Sequence, residues 1–320
     1  MKVLFSFFIA LAISPTICFA QALPEVTIAE YGEFLLYATL YVADADGLFE
    51  KQGIKVKIVP AGGDEKVFAA LIAGSAQFGI GDPTFVAISG EKGLPGKVIY
   101  SILQNAPAWG VAINPEIKPI TKPEELKPYT VATYPAPSTS YSLQKKIFQL
   151  GKLEPKIAPI TYGGLISALL ANRVDIALEY EPNVSLAVEK GAHLVYSVST
   201  YFPELALTGL TVLPDYLEKN PEITQKVVNA LQLASVKLFK DTDAVALILG
   251  KRFPEYSQSV IKSGLVNSLK TSTFPQDGII TEEGWRQSVL LRKELGDLKT
   301  EAPYQKYVVT SFAEKAKLLK

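Results

Sequence analysis

The sequence predicts an α/β protein of two domains, each built on a mostly parallel sheet, joined by two crossing segments with a cleft between them. Three observations carry this expectation. The phrase ALIAGSAQFGIGDP (70–83) returns in looser form as ALLANRVDIALEYEP (168–182), and each copy ends in an acid followed by proline. Each copy is also preceded by a β-like run and a glycine pair, VKIVPAGG (56–63) and KIAPITYGG (156–164), so each reads as strand, turn, helix, strand, a βαβ unit. Composition then shifts twice, becoming rich in proline between Pro115 and Pro159 and helical beyond Leu213.

Taken in order, Val26 to Ala29 read as a first strand and Leu35 to Ala45 as a helix, closed by Gly47 as a C-cap. Val56 to Val59 form a strand. Asp64 could cap the next helix, whose Val67, Phe68, Leu71 and Ile72 share one buried face. Phe78 to Ile80 and Lys97 to Leu103 are strands on either side of a helix at 84–92, and strands alternating with helices at this spacing argue for a parallel sheet covered on both faces. The extended AWGVAINP ends the first unit near residue 113. A strand at 130–133, a helix at 139–150, the second copy of the repeat, a helix to Gly191 and the strand HLVYSV build the second unit. TGLTVL (208–213) reads as the return crossing. Pro221 at the first position of a helix running to Lys240 opens a helical tail, with further helices over 243–252, 282–295 and 311–319. The expected organisation is a leader at 1–22, a discontinuous first domain (23–113 and 208–320) and a second domain (114–207).

The leader has Lys2, an apolar run from Val3 to Ile13, Pro15, and small residues at Ala20 and Ala22. That run is too short for a hydrocarbon core of about 30 Å but suits a secretory signal, cleaved after Ala20 or Ala22. The only cysteine, Cys18, lies within it, so a mature chain would have neither disulfide nor thiolate metal site. No later stretch is long and apolar enough to span a membrane. Apolar residues at 48% and charged ones at 20% place the chain among folded globular proteins. Its 32 basic and 32 acidic residues balance, which leaves no electrostatic footprint for nucleic acid.

Four stretches, DADGLFEKQGIKVKIVPAGG (44–63), ALIAGSAQFGIGDPTFVAISGEKGLP (70–95), YGGLISALLANRVDIALEYEPNVSLAVEKGAH (162–193) and LPDYLEKNPEITQKVVNAL (213–231), resemble the solute-binding proteins of ABC importers in the nitrate, sulfonate, taurine and thiamine-pyrimidine group. The resemblance implies the type II periplasmic binding protein fold, a periplasmic location, a monomer without cofactor, and domains that close on a small molecule before delivering it to a membrane permease.

Ligands of open α/β sheets bind at strand carboxyl ends, which is where the candidates lie. Asp82 and Glu181 end the two copies of the repeat; each either contacts ligand or caps the following helix, and the two roles can coexist. Ser138, Thr139 and Ser140 open a helix and offer hydroxyls and free N–H groups to an anion, or serve as an ordinary cap. Tyr31, Phe34, Tyr134, Tyr162 and Tyr180 stand at strand ends, and Trp109 at the first crossing, as ring contacts or as core. Gly63 permits close backbone approach. His193, the single histidine, reads as a surface turn residue without a partner for zinc. No nucleophile elbow, Walker A sequence or dinucleotide fingerprint is present. The alternatives to solute binding are a secreted enzyme using Asp82 and Glu181 as acid and base, and a ligand-presenting partner of a receptor.

Overall fold

The computed structural model describes residues 22–319; the expected leader and Cys18 fall outside them, apart from Ala22. The first segment runs β1 (Glu25–Glu30), α1 (Ala38–Ala45), α2 (Leu48–Lys51), β2 (Lys55–Pro60), α3 (Asp64–Ile72), β3 (Phe78–Gly81), α4 (Phe85–Gly90) and β4 (Lys97–Gln104). The second runs β5 (Ala108–Ala112), β6 (Val131–Thr133), α5 (Thr139–Leu150), β7 (Ile157–Pro159), α6 (Leu165–Leu170), β8 (Ile176–Tyr180), α7 (Asn183–Glu189) and β9 (His193–Ser197). After β10 (Ala206–Val212) the chain is helical: α8 (Pro214–Lys219), α9 (Pro221–Lys240), α10 (Thr242–Arg252), α11 (Gln258–Lys270), α12 (Glu282–Glu294), α13 (Tyr304–Tyr307) and α14 (Ser311–Ala316).

Two five-stranded sheets result, ordered β2-β1-β3-β10-β4 and β7-β6-β8-β5-β9. In the first, β1 runs parallel to β2 and β3 while β10 is antiparallel to both its neighbours. The second repeats the arrangement, with β6 parallel to β7 and β8, and β5 antiparallel to β8 and β9. In each sheet the one reversed strand is the one arriving from the other sheet, so the two sheets are built alike. The repeated phrases supply β3 and β8, which occupy equivalent central places and are buried along their whole length. The edge strand β2, by contrast, alternates Lys55, Val56, Lys57, Ile58 and ends at Pro60, a pattern that leaves one face wet and blunts the open edge.

The chain changes sheet between Gln104 and Ala108 and again between Ser197 and Ala206. Strand β5, which the sequence reading assigned to the first domain, therefore hydrogen-bonds in the second sheet. Its composition, AWGVA, is apolar on both faces, and Gly110 suits it to its place there, since any side chain at that position would run into the ring of Tyr196 on β9. His193 likewise begins β9 and is no turn residue; its Nε2 lies 2.8 Å from the Ile117 carbonyl oxygen.

The sequence reading places no helix at 258–270, a stretch whose Gly264 and several serines have low helix propensity. Helix α11 forms nonetheless, capped by Ser257, whose hydroxyl accepts the Val260 N–H. Gly264 is what brings it close: a Cβ there would press on Leu35 and on the Glu181 carboxylate. Helix α11 packs against α7 of the second unit and α10 of the first, and α12 touches both β10 and α5. Both helices thus bridge the two sheets. Among the described residues, no helix is long and apolar enough to cross a membrane.

Candidate functional site

A cleft lies where the carboxyl ends of β1, β3, β6 and β8 converge. Tyr31, Phe34, Tyr37, Asp64 and Asp82 line it from the first unit, and Tyr134, Ser138, Thr139, Ser140 and Tyr180 from the second. Its free volume is about 50 Å³, room for little more than water. The aromatic rings close it by meeting across the gap. Phe34 lies 6.2 Å from Tyr134, 4.9 Å from Tyr162 and 6.0 Å from Tyr180, centroid to centroid, while Tyr31 lies 6.2 Å from Tyr134.

Of the residues expected from sequence, Tyr31, Phe34, Asp82, Tyr134, Ser138, Thr139, Ser140 and Tyr180 line this cleft. Tyr162 stands at its rim, half exposed, with its hydroxyl donating to the Glu33 carbonyl oxygen across the gap. Trp109 does not reach it, being held within the second sheet opposite Glu179 and Ser197. Gly63 does not line it either; the neighbouring Asp64 does. Glu181 turns away from it: its Oε2 accepts the Ser185 N–H at 3.0 Å, one turn into α7, and its Oε1 accepts from Asn267 of α11 at 3.0 Å. Glu181 and Asp82 therefore do not face one another as an acid and base.

Asp82 serves both as cap and as bridge. Its Oδ1 accepts the Thr84 N–H at 2.8 Å and the Thr84 hydroxyl. Its Oδ2 accepts the Thr139 hydroxyl at 2.6 Å, at the first residue of α5, and the Arg292 guanidinium at 2.7 Å. Thus the helix start that the sequence offered to an external anion is occupied by a carboxylate of the protein itself. Ser138 is spent as well, accepting the Tyr141 N–H as the helix cap and donating to the Tyr134 carbonyl oxygen.

Arg292 was absent from the sequence-based candidates. It is 1% exposed, and its Nη1 donates to Pro137 O at 3.1 Å, Ser142 Oγ at 2.7 Å and Asp297 Oδ2 at 2.9 Å. A signal for it did exist. Trp285, Ser288, Val289 and Arg292 follow the spacing of one buried helix face, so an arginine in that series needs a buried partner. Asp64 was read as a helix cap, yet its Oδ1 accepts the Asp82 N–H at 2.8 Å and makes no cap bond.

Burial raises the carboxyl of Asp64 to about 7, helped by the charge of Asp82 and opposed by the Asp82 N–H and by Arg292. Burial acts on Asp82 too, but the Arg292 charge and the hydrogen bonds from Thr139 and Thr84 outweigh it and hold that carboxyl below its ordinary range. Behind the rings, burial lifts Glu30 and Glu179 to about 7 each, against the hydrogen bonds they accept from Tyr41 and Tyr134. Each of these two keeps one buried oxygen without a hydrogen-bond partner among the described residues.

A pH dependence follows. Asp64, Glu30 and Glu179 are raised above their unfolded values, so the stability they contribute is fully present below about pH 4 and is lost as pH rises through about 7. Asp82, depressed, contributes in the opposite sense, losing its share as pH falls below the ordinary carboxylate range. Urea unfolding is expected to show a maximum near pH 4 and a decline of about 2 to 5 kcal/mol by pH 8. Stability that climbed steadily from pH 5 to 8 would contradict the burial of these three groups.

A family model described as NMT1/THI5 like matches residues 36–244, more than half of the chain. Over 307 residues the sequence is 22% identical to the "Putative binding protein YtlA" of Bacillus subtilis (strain 168), spanning 92% of this chain and 90% of that one. The structure is similar to the periplasmic nitrate-binding protein NrtA from Synechocystis PCC 6803, with a TM-score of 0.76, 14% identity, and 92% and 88% of the two chains covered. It is also similar to the periplasmic aliphatic sulphonate binding protein SsuA from Escherichia coli, with a TM-score of 0.71, 17% identity, and 89% and 92% covered. The fold is that of the periplasmic binding proteins.

Proposed function

The chain belongs to the NMT1/THI5-like family, and from that premise we propose that it is the extracytoplasmic solute-binding component of an ABC importer, closing two domains on a small molecule for delivery to a membrane permease. The observation that carries this reading is a cleft at the strand ends of two like-built sheets, lined from both sides and spanned by hydrogen bonds. Such bonds can break and re-form as rigid units hinge about the two sheet-crossing segments. Nitrate binding by NrtA and aliphatic sulphonate binding by SsuA support the same reading. The moving bodies would be the two sheets with their helices, close to the expected 23–113 with 208–320 and 114–207. The leader-like N-terminus accords with export to the periplasm, and a monomer is what the family resemblance implies. Binding without turnover is favoured over catalysis because Asp82 is engaged by Arg292 and Glu181 faces α11.

The test is thermal shift together with small-angle scattering on the protein lacking residues 1–22, against a panel of amines, amidines, nitrate and sulfonates. A true ligand at about a hundred times its Kd should add about 3 kcal/mol, raise the melting temperature by several degrees and contract the envelope, while being recovered unchanged. Turnover of a hit would transfer the reading to an enzyme.

A further inference from the structure

Among the described residues, those lining the cleft include two acids, Asp64 and Asp82, and no lysine, arginine or histidine. The guanidinium nearest to it, Arg292, has both terminal nitrogens engaged by Asp82, Asp297 and neighbouring oxygens. A small oxyanion placed here would meet an ionised Asp82 with no uncommitted cation, and a buried unpaired charge is costly. Asp64 is different. It is 6% exposed, and among the described residues only the Asp82 N–H bonds to it, which leaves Oδ2 free toward the cleft. Around it stand the rings of Tyr31, Tyr37 and Tyr180, whose hydroxyls no described residue engages in a hydrogen bond.

On the solute-binding reading above, we propose that the cleft takes an organic cation carrying N–H donors on a flat framework, with Asp64 as its counter-carboxylate, and discriminates against small oxyanions such as those bound by the nitrate and sulphonate relatives. One N–H pairs with Asp64 Oδ2, others reach the free tyrosine oxygens, and the faces of Tyr31, Phe34 and Tyr180 receive the flat cation. Admission requires the sheets to part, since the closed cleft is too small for a ring.

Binding of a cation favours ionised Asp64. The charged and titratable groups facing that carboxyl are Asp82 beyond β3, Glu65 on α3, Arg292 on α12, and Tyr31, Tyr37 and Tyr180. Asp64 is held to about 7, so near neutral pH binding should expel part of a proton and strengthen as pH rises from 6 to 8.

The probes are benzamidine, a flat amidinium; benzamide, its neutral counterpart; and the anions nitrate and benzenesulfonate. Titration calorimetry in two buffers of different ionisation enthalpy reads both affinity and proton release. Benzamidine is expected to bind at least tenfold more tightly than benzamide or either anion, with proton release at pH 7. Asp64→Asn keeps an oxygen for the Asp82 N–H and should reduce benzamidine binding at least tenfold while abolishing the proton release. Proton release by the unaltered protein stands as a test should that variant fold poorly. Tighter binding of either anion, or unchanged benzamidine binding in Asp64→Asn, would overturn the cation assignment and leave solute binding standing. No binding by any probe, with an envelope that stays rigid against the wider panel, would overturn both.

Discussion

Replacing Arg292 by methionine is expected to cost about 3 to 5 kcal/mol at pH 7, because removing one partner of a buried ion pair strands the other. Asp82 would be left nearly inaccessible with only hydroxyl and N–H donors, and the carbonyl of Pro137 and the hydroxyl of Ser142 would lose their donor. The cost should depend on pH in a direction opposite to wild type's use of this residue. Without the guanidinium, burial raises the Asp82 carboxyl above its unfolded value, so the variant loses stability as pH rises and approaches wild type near pH 4. Adding Asp82→Asn should recover more than half of the loss, since no charge is then buried alone. Urea titrations at pH 5 and 7 decide the matter; a loss below about 1 kcal/mol at pH 7 would mean that the pair holds nothing. Because Arg292 joins α12 to the Pro137–Ser142 segment, the single variant should also scatter as a more open particle than wild type.

The second large effect is expected at Trp285. Its side chain is 1% exposed, its Nε1–H donates to the Ala302 carbonyl oxygen at 2.8 Å, and its ring stacks on Tyr307 at 5.9 Å. Trp285→Ala should cost about 3 to 5 kcal/mol through lost burial and the cavity left behind. Trp285→Phe retains most of the packing but leaves the Ala302 oxygen unsatisfied, for about 1 to 2 kcal/mol. Chemical denaturation of both variants checks the values, and equal losses would show that the hydrogen bond outweighs the packing. The loss has a functional side. Trp285 and Arg292 share one face of α12, so a loosened helix moves the guanidinium that neutralises Asp82. Weakened binding should therefore accompany the lost stability in Trp285→Ala and be largely restored in Trp285→Phe.

Both positions lie in the C-terminal segment, which the sequence reading understood only as helical. Helix α12 itself was legible: Thr281 caps it, Glu282 and Glu283 occupy its first turn, and Arg292 and Lys293 its last, the charge order that a helix dipole favours. That order also hid Arg292, since a basic residue in a last turn has a sufficient local reason to be there. Asp64 was hidden in the same way by its place at a helix start. Of the two roles open to Glu181, the capping one holds, through the Ser185 N–H of α7; the repeat puts it and Asp82 after a central strand, but only Asp82 finds a guanidinium, while Glu181 also meets α11, a helix not anticipated from sequence.

From the chain alone came the two βαβ units, the interrupted first unit, and the strand-end location of the cleft with eight of its lining residues. Periodicity, glycine turns and caps are set by residues a few positions apart, and converging strand ends follow from the repeat itself. Which sheet receives β5, and which charge neutralises which, were decided by packing. Arg292 meets Asp82 across 210 residues of chain, and a bond of that span is specified only once α12 has docked between the sheets.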